Sequence, residues 1–232
     1  MMGRLQAMRN VYKEAYPVTE EKYAPCVKPF VCFDFGGVIA EEGFYQGLTA
    51  IAHAEKRNPE EFFTLAVETI LQTGYVLGNA SEATFWSALR TQSGITWTDQ
   101  QLRETILNHF VPRPSMLQLL SALAQEPVHL ALLSDQTNWL DELDALYGLY
   151  ALFDSVYNSY DIQMHKGQQA FFTTVLQQLG ASPEECVFID DNPNNIQIAR
   201  EVGLETILFR DVPGFVEDFA RYCPSAVSAV FT

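Results

Sequence analysis

The stretch that decides the fold is Phe30-Val31-Cys32-Phe33-Asp34-Phe35-Gly36-Gly37-Val38. An apolar run of strand length ends at a lone aspartate, and a pair of glycines follows one residue later. A carboxylate at the end of a buried strand is well placed to act as a nucleophile. Gly36 stands where a second carboxylate often transfers the proton. This stretch therefore predicts a nucleophile, Asp34, without its usual helper.

Three further apolar runs of strand length follow, at Val128–Leu133, Cys186–Ile189 and Thr206–Phe209. Each run is nearly continuous in apolar residues, which is typical of parallel strands covered on both faces. Segments with a helical pattern separate them, at residues 115–125, 168–179 and 194–202. This alternation predicts an α/β fold with a doubly wound (Rossmann-like), mostly parallel sheet.

About ninety residues separate the first two predicted strands, far more than one crossover helix needs. This stretch has helix-start patterns of its own, such as Asn58-Pro59-Glu60-Glu61. We therefore predict an inserted, all-helical cap subdomain over residues 42–110. A larger helical layer of the core is the alternative. Residues 29–41 and 111–232 are predicted to form the α/β core, and residues 1–28 a polar N-terminal extension.

The chain carries 29 acidic and 14 basic residues, for a formal net charge of −15. A surface this acidic disfavours nucleic acid and anionic membranes, because affinity for phosphate backbones comes mainly from Lys and Arg. No apolar run reaches the ~20 residues that a membrane helix needs. The predicted partner is a small-molecule substrate, and an anionic one requires a local cation. The protein itself is expected to be a monomer or a homodimer.

The four cysteines, Cys26, Cys32, Cys186 and Cys223, form no CxxC pair. Cys32 and Cys186 lie inside predicted strands, so buried free thiols are expected rather than disulfides or zinc ligands. The N-terminal residues lack the apolar segment of a signal peptide. Together these observations predict a reducing, cytoplasmic location.

Polar residues follow three of the predicted strands: Asp34 the first, Ser134-Asp135 the second, and Asp190-Asp191 the third along the chain. Ligands bind beyond the carboxyl ends of strands in open parallel sheets. Two carboxylates ~4 Å apart repel by about 4 kcal/mol at an effective dielectric constant near 20, unless a cation lies between them. Mg²⁺ suits such oxygen ligands. We predict Asp34 and Asp190 as ligands, with the backbone carbonyl of Gly36 as a third. The Asp190-Asp191 pair is also expected to cap the following helix, as a secondary role.

Phosphate binding also needs hydrogen-bond donors and positive charge. Ser134 offers a hydroxyl group and neighbouring backbone N–H groups. Lys166 lies in a polar loop just before a predicted helix, where its ammonium group is able to contact a phosphate. An ordinary surface lysine is the alternative interpretation of Lys166.

The motifs together resemble the haloacid dehalogenase (HAD) superfamily, in the subgroup of helical-capped phosphatases with a DxGG-type first motif. Residues 34–38 are similar to the first motif, residues 132–134 to the second and residues 188–195 to the fourth, and Lys166 falls where the third-motif lysine belongs. The resemblance runs in order from about residue 30 to residue 209. It implies a nucleophilic aspartate that forms an aspartyl-phosphate, Mg²⁺ as cofactor, and a cap that selects the substrate.

On this resemblance Asp34 and Lys166 are the predicted catalytic residues. The predicted phosphate-binding residues are Ser134, Asp135 and Lys166, and the metal ligands are Asp34, Gly36 and Asp190. Asp191 and Asn195 are predicted to support these ligands. The chain departs from the family pattern at Asp135, where Asn is usual, at Gly167, where Pro is usual, and at Gly36.

The predicted function is a Mg²⁺-dependent phosphatase that hydrolyses a small phosphomonoester. Loss of acid–base help at Gly36 costs about 3–5 kcal/mol of barrier, so good leaving groups such as anomeric sugar, acyl or aryl phosphates are expected. Alternatively the cap supplies the proton, with Glu41, Glu42, Tyr45 and His53 as candidates. Two other interpretations are a 2-haloacid dehalogenase and a non-catalytic HAD-like binding or regulatory protein.

Overall fold

A computed structural model describes residues 25–231. Its centre is a five-stranded sheet in the order β3-β2-β1-β4-β5, with every pairing parallel. The strands are β1 (Phe30–Phe33), β2 (His129–Ser134), β3 (Ser155–Asn158), β4 (Cys186–Asp190) and β5 (Glu205–Leu208). The predicted doubly wound α/β fold is therefore confirmed. The strand β3, at one edge of the sheet, had no counterpart among the four predicted strands.

The register of the central strands fixes where their polar ends lie. Phe33 pairs with Leu132 of β2 on one side and with Ile189 of β4 on the other. Asp34 directly follows Phe33, Asp190 directly follows Ile189, and Ser134 lies two residues after Leu132. The three side chains therefore meet at one edge of the sheet. Topology alone thus brings the predicted functional residues together.

Eleven helices are assigned within residues 25–231, and most of them cover the two faces of the sheet. They are α1 (Gly43–Ala54), α2 (Pro59–Thr73), α3 (Glu82–Ser93), α4 (Asp99–Leu107), α5 (Pro114–Leu123), α6 (Trp139–Tyr147), α7 (Ser159–Ile162), α8 (Gln169–Leu179), α9 (Pro193–Val202), α10 (Val212–Phe219) and α11 (Pro224–Phe231). None of these helices is both long and apolar enough to cross a membrane.

The first four helices lie between β1 and β2, in the segment predicted to form a cap. Helix α1 packs against α2 and α4, and α2 packs against α3. Their buried residues belong to the same apolar cluster as one face of the sheet, while α8 and α9 cover the other face. The division into core and cap, with its boundaries at residues 42 and 110, stays a prediction. The predicted N-terminal extension lies almost wholly outside the described residues.

Helix α2 begins as its sequence predicts, because the Asn58 side chain accepts hydrogen bonds from the backbone N–H groups of Glu60 and Glu61. Its buried face is formed by Phe62, Ala66, Thr69 and Ile70. The neighbouring Phe63 is only partly buried, since its ring lines a cavity.

The expectation of free thiols is confirmed for Cys32 and Cys186 and is wrong for the other two cysteines. Cys26 and Cys223 form a disulfide across 197 residues of sequence. The Val27 N–H donates to the Tyr222 carbonyl oxygen at 2.7 Å, so the segment before β1 runs beside the turn after α10. Disulfides are typical of oxidising compartments. The reducing location was inferred from free cysteines, and two of the four cysteines are not free. The cysteines therefore no longer support that inference.

Reduction of the disulfide is expected to lower the free energy of unfolding by about 2–5 kcal/mol, because it closes a long loop in the unfolded chain. Urea unfolding with and without dithiothreitol measures this difference. A Cys26→Ser/Cys223→Ser protein is the control, and its midpoint should not respond to dithiothreitol. Four free thiols in the denatured, unreduced protein would contradict the pairing.

Candidate active site

Asp34 directly follows β1 and is 8% exposed. Its Oδ1 atom accepts a hydrogen bond from the Phe35 backbone N–H at 2.7 Å and lies 2.6 Å from Lys166 Nζ. Within the described part of the chain, Oδ2 accepts no hydrogen bond. One oxygen is therefore held in place, and the other is left available to react.

Lys166 lies between two carboxylates. Its Nζ atom is 2.6 Å from Asp34 Oδ1 and 2.7 Å from Asp190 Oδ2, and the residue is 1% exposed. Burial alone would lower the pKa of Lys166, but the carboxylates of Asp190, Asp34 and Asp135 raise it above the ordinary lysine value. Lys166 is thus a buried, permanently charged group and not the surface lysine of the alternative interpretation.

Three carboxylates, those of Asp34, Asp190 and Asp191, offer oxygen atoms that all lie within 4.8 Å of one another. Burial raises the pKa of Asp34, and the charges of Asp190 and Asp191 raise it further against the opposing effect of Lys166. Hard oxygen donors that repel one another fit a divalent cation such as Mg²⁺. Asp191 was predicted only to support the metal ligands. Its carboxylate is nevertheless one of the three in this cluster, so it is placed like a ligand.

The carboxylate of Asp190 is held by its own neighbours. Asn192 N–H donates to Oδ1 at 2.7 Å, and Asn195 Nδ2 donates to Oδ2 at 3.2 Å. Asn195 lies on the first turn of α9, whose N-cap is Asn192 rather than Asp190 or Asp191. The additional expectation that the aspartate pair caps this helix is therefore wrong. Asn195 thus contacts one of the predicted metal ligands, and its supporting role stays a prediction.

Gly37 must be glycine. Its φ angle is +76°, and a Cβ atom there would lie 2.1 Å from Asp191 Oδ2. The left-handed backbone at this position lets the chain turn sharply after Asp34. The second glycine of the pair thus makes room for the third carboxylate of the cluster.

Ser134 ends β2, Asp135 follows it, and both line the same cavity as Asp34. The Asp135 carboxylate accepts the Lys166 backbone N–H through both oxygens, at 2.9 and 3.1 Å. Burial raises the pKa of Asp135, and Lys166 opposes this shift. The side chain of Asp135 therefore fixes the loop that carries Lys166. It offers a phosphate no donor, unlike the hydroxyl of Ser134.

Of the four candidate proton donors, Glu42 lies nearest to the position of the missing carboxylate. A Cβ atom on Gly36 would lie 3.0 Å from Glu42 Oε2. Burial, and secondarily the charge of Asp191, raises the pKa of Glu42 to about 7. Glu42 belongs to the segment predicted to form the cap, and its carboxylate lies where a carboxylate side chain at position 36 would lie.

The other three candidates have different contacts. Glu41 pairs with Arg113 at 3.0 Å, and neither residue lines the cavity. Tyr45 lines the cavity, but its hydroxyl donates to Glu60 Oε1 at 2.7 Å. His53 is exposed near the end of α1. The sequence contains no reason to prefer one of the four candidates. The choice depends on the fold, which brings only the Glu42 carboxylate next to Gly36 at the end of β1.

The cavity above these residues has a volume of about 520 Å³. Polar residues from the strand ends form its floor. A second wall comes from residues 44–110 and is mostly apolar; it comprises Phe44, Tyr45, Phe63, Ile70, Val76 and Phe110. The residues of the floor were predicted from the sequence, whereas those of this wall were not. Gln136 and Thr137, in the segment that follows β2, also line the cavity and were not predicted.

Comparison with known proteins agrees with this geometry. The family model described as haloacid dehalogenase-like hydrolase matches residues 30–203. The chain belongs to this family. It is therefore a HAD-like hydrolase, and the predicted superfamily is confirmed. The narrower DxGG-type subgroup stays a prediction.

Among related HAD-like proteins, flavin mononucleotide hydrolase 1 of Arabidopsis thaliana is 22% identical over 192 residues, which cover 83% of this chain and 76% of that protein. Bifunctional epoxide hydrolase 2 of Rattus norvegicus is 31% identical over 118 residues, 48% of this chain. The match spans only 21% of the length of the rat protein.

Solved structures share the fold. A HAD family enzyme of Bacteroides thetaiotaomicron, in complex with magnesium and inorganic phosphate, aligns with a TM-score of 0.64 and 24% identity, over 79% of this chain and 94% of that one. An L-2-haloacid dehalogenase of Xanthobacter autotrophicus aligns with a TM-score of 0.60 and 19% identity, over 84% and 83% of the two chains. These two structures show that the chain shares their fold. They do not determine which reaction it catalyses, and the residues of the site must be used for that.

Proposed function

We propose that this HAD-like hydrolase is a Mg²⁺-dependent phosphatase that cleaves a small phosphomonoester through a phosphoryl group on Asp34. The observation that carries the proposal is the arrangement around Asp34. One carboxylate oxygen is fixed by Lys166 and the Phe35 N–H, and the other is free of hydrogen bonds from residues 25–231. In the first step the free oxygen forms a bond to phosphorus while the bond from phosphorus to the leaving oxygen breaks.

Asp34, Asp190 and Asp191 would hold the metal ion, because they present three clustered carboxylates. A bound Mg²⁺ supplies positive charge that offsets the repulsion between these carboxylates and a phosphate dianion. Lys166 supplies a second, fixed positive charge, and Ser134 a hydroxyl donor beside it. Together with the free Asp34 oxygen, these groups support a phosphatase over a purely binding or regulatory protein, because phosphate binding alone needs no nucleophile.

Glu42 is our candidate for the proton transfers. Protonated, it gives its proton to the leaving alcohol oxygen as the bond to phosphorus breaks. As a carboxylate, it then takes a proton from the water that attacks the phosphoryl group, which releases inorganic phosphate and regenerates Asp34. A pKa near 7 suits both steps at neutral pH. The proton donor therefore comes from the cap, and the site no longer needs to be restricted to good leaving groups.

Two relatives support a phosphatase. One is called a flavin mononucleotide hydrolase, and flavin mononucleotide is a phosphomonoester. A structural neighbour was solved in complex with magnesium and phosphate. The haloacid dehalogenase neighbour supports the alternative reaction. Against that alternative stands the acidic cluster, because a halide-displacing aspartate needs no metal.

A screen of phosphate esters with Mg²⁺, and with EDTA in its place, tests the proposal. The panel includes acetyl phosphate, p-nitrophenyl phosphate, flavin mononucleotide, sugar phosphates and, separately, a 2-haloacid. We expect Mg²⁺-dependent release of phosphate from at least one ester. Metal-independent halide release would favour the dehalogenase, and no turnover of any compound would favour a binding or regulatory protein.

The Glu42→Gln protein is expected to lose about 10²–10⁴-fold in kcat with an alkyl phosphate, because the poor leaving group then departs without a proton. With p-nitrophenyl phosphate the loss should stay below about tenfold, since this leaving group departs as a stable anion. The ratio of the two kcat values measures the effect. Glu41→Gln, which changes a neighbouring carboxylate outside the cavity, is the control. An equal loss with both esters would argue against Glu42 as the donor.

Glu42 should also make the stability of the metal-free protein depend on pH. Its pKa is about 7 in the folded protein, above the ordinary value of 4.5. The corresponding stability is fully present below pH 4.5 and is lost as pH rises through 7. In EDTA, Glu42→Gln should therefore match the wild type near pH 4.5 and exceed its free energy of unfolding by up to about 3 kcal/mol at pH 8. Urea unfolding at both pH values checks this, and a constant difference would contradict it.

A further inference from the structure

The cavity wall that residues 44–110 contribute is formed mainly by aromatic rings. The Tyr45 and Phe63 rings lie 5.0 Å apart at an interplanar angle of 82°, and the Phe44 and Phe63 rings lie 6.2 Å apart at 63°. Phe110 stacks on Phe35 at 5.7 Å and also lines the cavity. Such edge-to-face groups favour a further ring or another flat apolar group.

The same cavity contains almost no positive charge. Lys166 is the one Lys or Arg among the described residues that line it, and this lysine already contacts Asp34 and Asp190. Asp135 and Asp191 add negative charge to the lining. A second anionic group on the substrate would find neutral amides and hydroxyls such as Gln136 and Thr137 but no second Lys or Arg in the described lining, so its charge would stay without a counter-ion, which is costly. The site is therefore built for one phosphate only.

From these two observations we infer that the substrate is a monophosphate whose leaving group is uncharged and carries an aromatic or similarly flat apolar group. This inference rests on the proposed phosphatase function and adds the substrate class to it. Phosphate binds at the strand ends, and the ring packs against Phe44, Phe63 and Phe110. Sugar bisphosphates and nucleoside diphosphates are excluded by charge.

Two matched pairs of compounds test the inference. The first pair, 2-phenylethyl phosphate and n-butyl phosphate, has alkyl leaving groups of similar basicity, so a difference in kcat/KM reports contact with the ring. We expect at least about a tenfold advantage for the phenyl compound. The second pair is a hexose monophosphate and its bisphosphate, and we expect the bisphosphate to be at least about tenfold poorer. Equal values in the first pair, or a preferred bisphosphate, would overturn the inference.

Binding provides a readout that does not need turnover. The phosphonate analogues of the first pair are titrated into the wild-type protein with Mg²⁺, and calorimetry should give a Kd about tenfold lower for the phenyl compound. Acetyl phosphate, which has no ring, reports the chemistry separately. If the protein hydrolyses acetyl phosphate but shows no preference for the phenyl ligand, the inferred substrate class is wrong while the proposed phosphatase function stands. A clear preference in binding with no hydrolysis of any ester supports the inference and defeats the proposed phosphatase.

A single variant connects the preference to the wall. Phe63→Leu removes the ring at the centre of the aromatic group but keeps an apolar side chain. The phenyl-to-butyl ratio, in kcat/KM and in phosphonate Kd, should fall from about tenfold to less than about threefold. Leu71→Ala changes a 48% exposed residue on the same helix, outside the cavity, and should leave both ratios at the wild-type value. An unchanged ratio in Phe63→Leu would overturn the inference.

Discussion

Asp34→Asn is expected to lower kcat for every phosphate ester by about 10⁴-fold or more, which is the scale of losses when a nucleophile is removed. An amide is a poor nucleophile, and the variant side chain has no carboxylate oxygen to bond to phosphorus. Lys166, Ser134 and Asp190 would remain, so substrate binding should persist while turnover is lost. Steady-state kinetics with p-nitrophenyl phosphate and Mg²⁺ measure kcat, and calorimetry with a phosphonate measures binding.

The matched control is Asp161→Asn, which makes the same chemical change at an exposed residue outside the cavity. Its kcat should be that of the wild type. If Asp34→Asn kept kcat within about tenfold of the wild-type value, another residue or a directly activated water would be the nucleophile, and the proposed intermediate would be wrong.

Lys166→Met is expected to lower the free energy of unfolding by about 3–5 kcal/mol in the presence of EDTA. Methionine fills a similar volume but leaves two buried carboxylates without a cation, at Asp34 (8% exposed) and Asp190 (0% exposed). Because a divalent cation neutralises the same carboxylates, added Mg²⁺ should recover part of the loss. Urea unfolding of both proteins in EDTA and in Mg²⁺ gives the four free energies.

Lys56→Met is the control for this second prediction, since Lys56 is an exposed lysine outside the cavity. Its free energy of unfolding should stay within about 0.5 kcal/mol of the wild-type value. A Lys166→Met protein as stable as the wild type in EDTA would mean that the carboxylates are protonated or hydrated in the folded state. The description of Lys166 as their permanent counter-ion would then fail.

The sheet was predictable where each strand is a continuous apolar run. Phe30–Phe33, and the runs that became β2, β4 and β5, are apolar because helices cover both faces of the sheet. Strand β3 escaped prediction because Ser155–Asn158 begins with Ser and ends with Asn, so it contains no continuous apolar run. The Cys26–Cys223 disulfide was missed because no local pattern connects residues 197 apart.

The floor of the site followed from the sequence because parallel strands bring their carboxyl ends to one edge. Asp34, Ser134 and Asp190 needed only the right strand order to meet. The wall did not follow, because it depends on how the helical segment folds back over the sheet. Glu42 could be selected from four candidates only when its carboxylate was seen beside Gly36. Phe63 likewise could not be assigned to the cavity from the sequence, because the surface that its ring faces depends on how α2 packs.

Phosphoryl transfer through Asp34 is the step on which the proposed function depends, and reductive trapping tests it most directly. The wild-type protein is mixed with Mg²⁺ and the best ester of the screen, quenched during turnover with borohydride, digested and sequenced by mass spectrometry. Borohydride reduces an acyl phosphate to an alcohol but spares a free carboxylate. We predict homoserine at position 34, in an amount that depends on ester and Mg²⁺. Intact aspartate at position 34 during active turnover, or homoserine at another aspartate, would contradict the proposal.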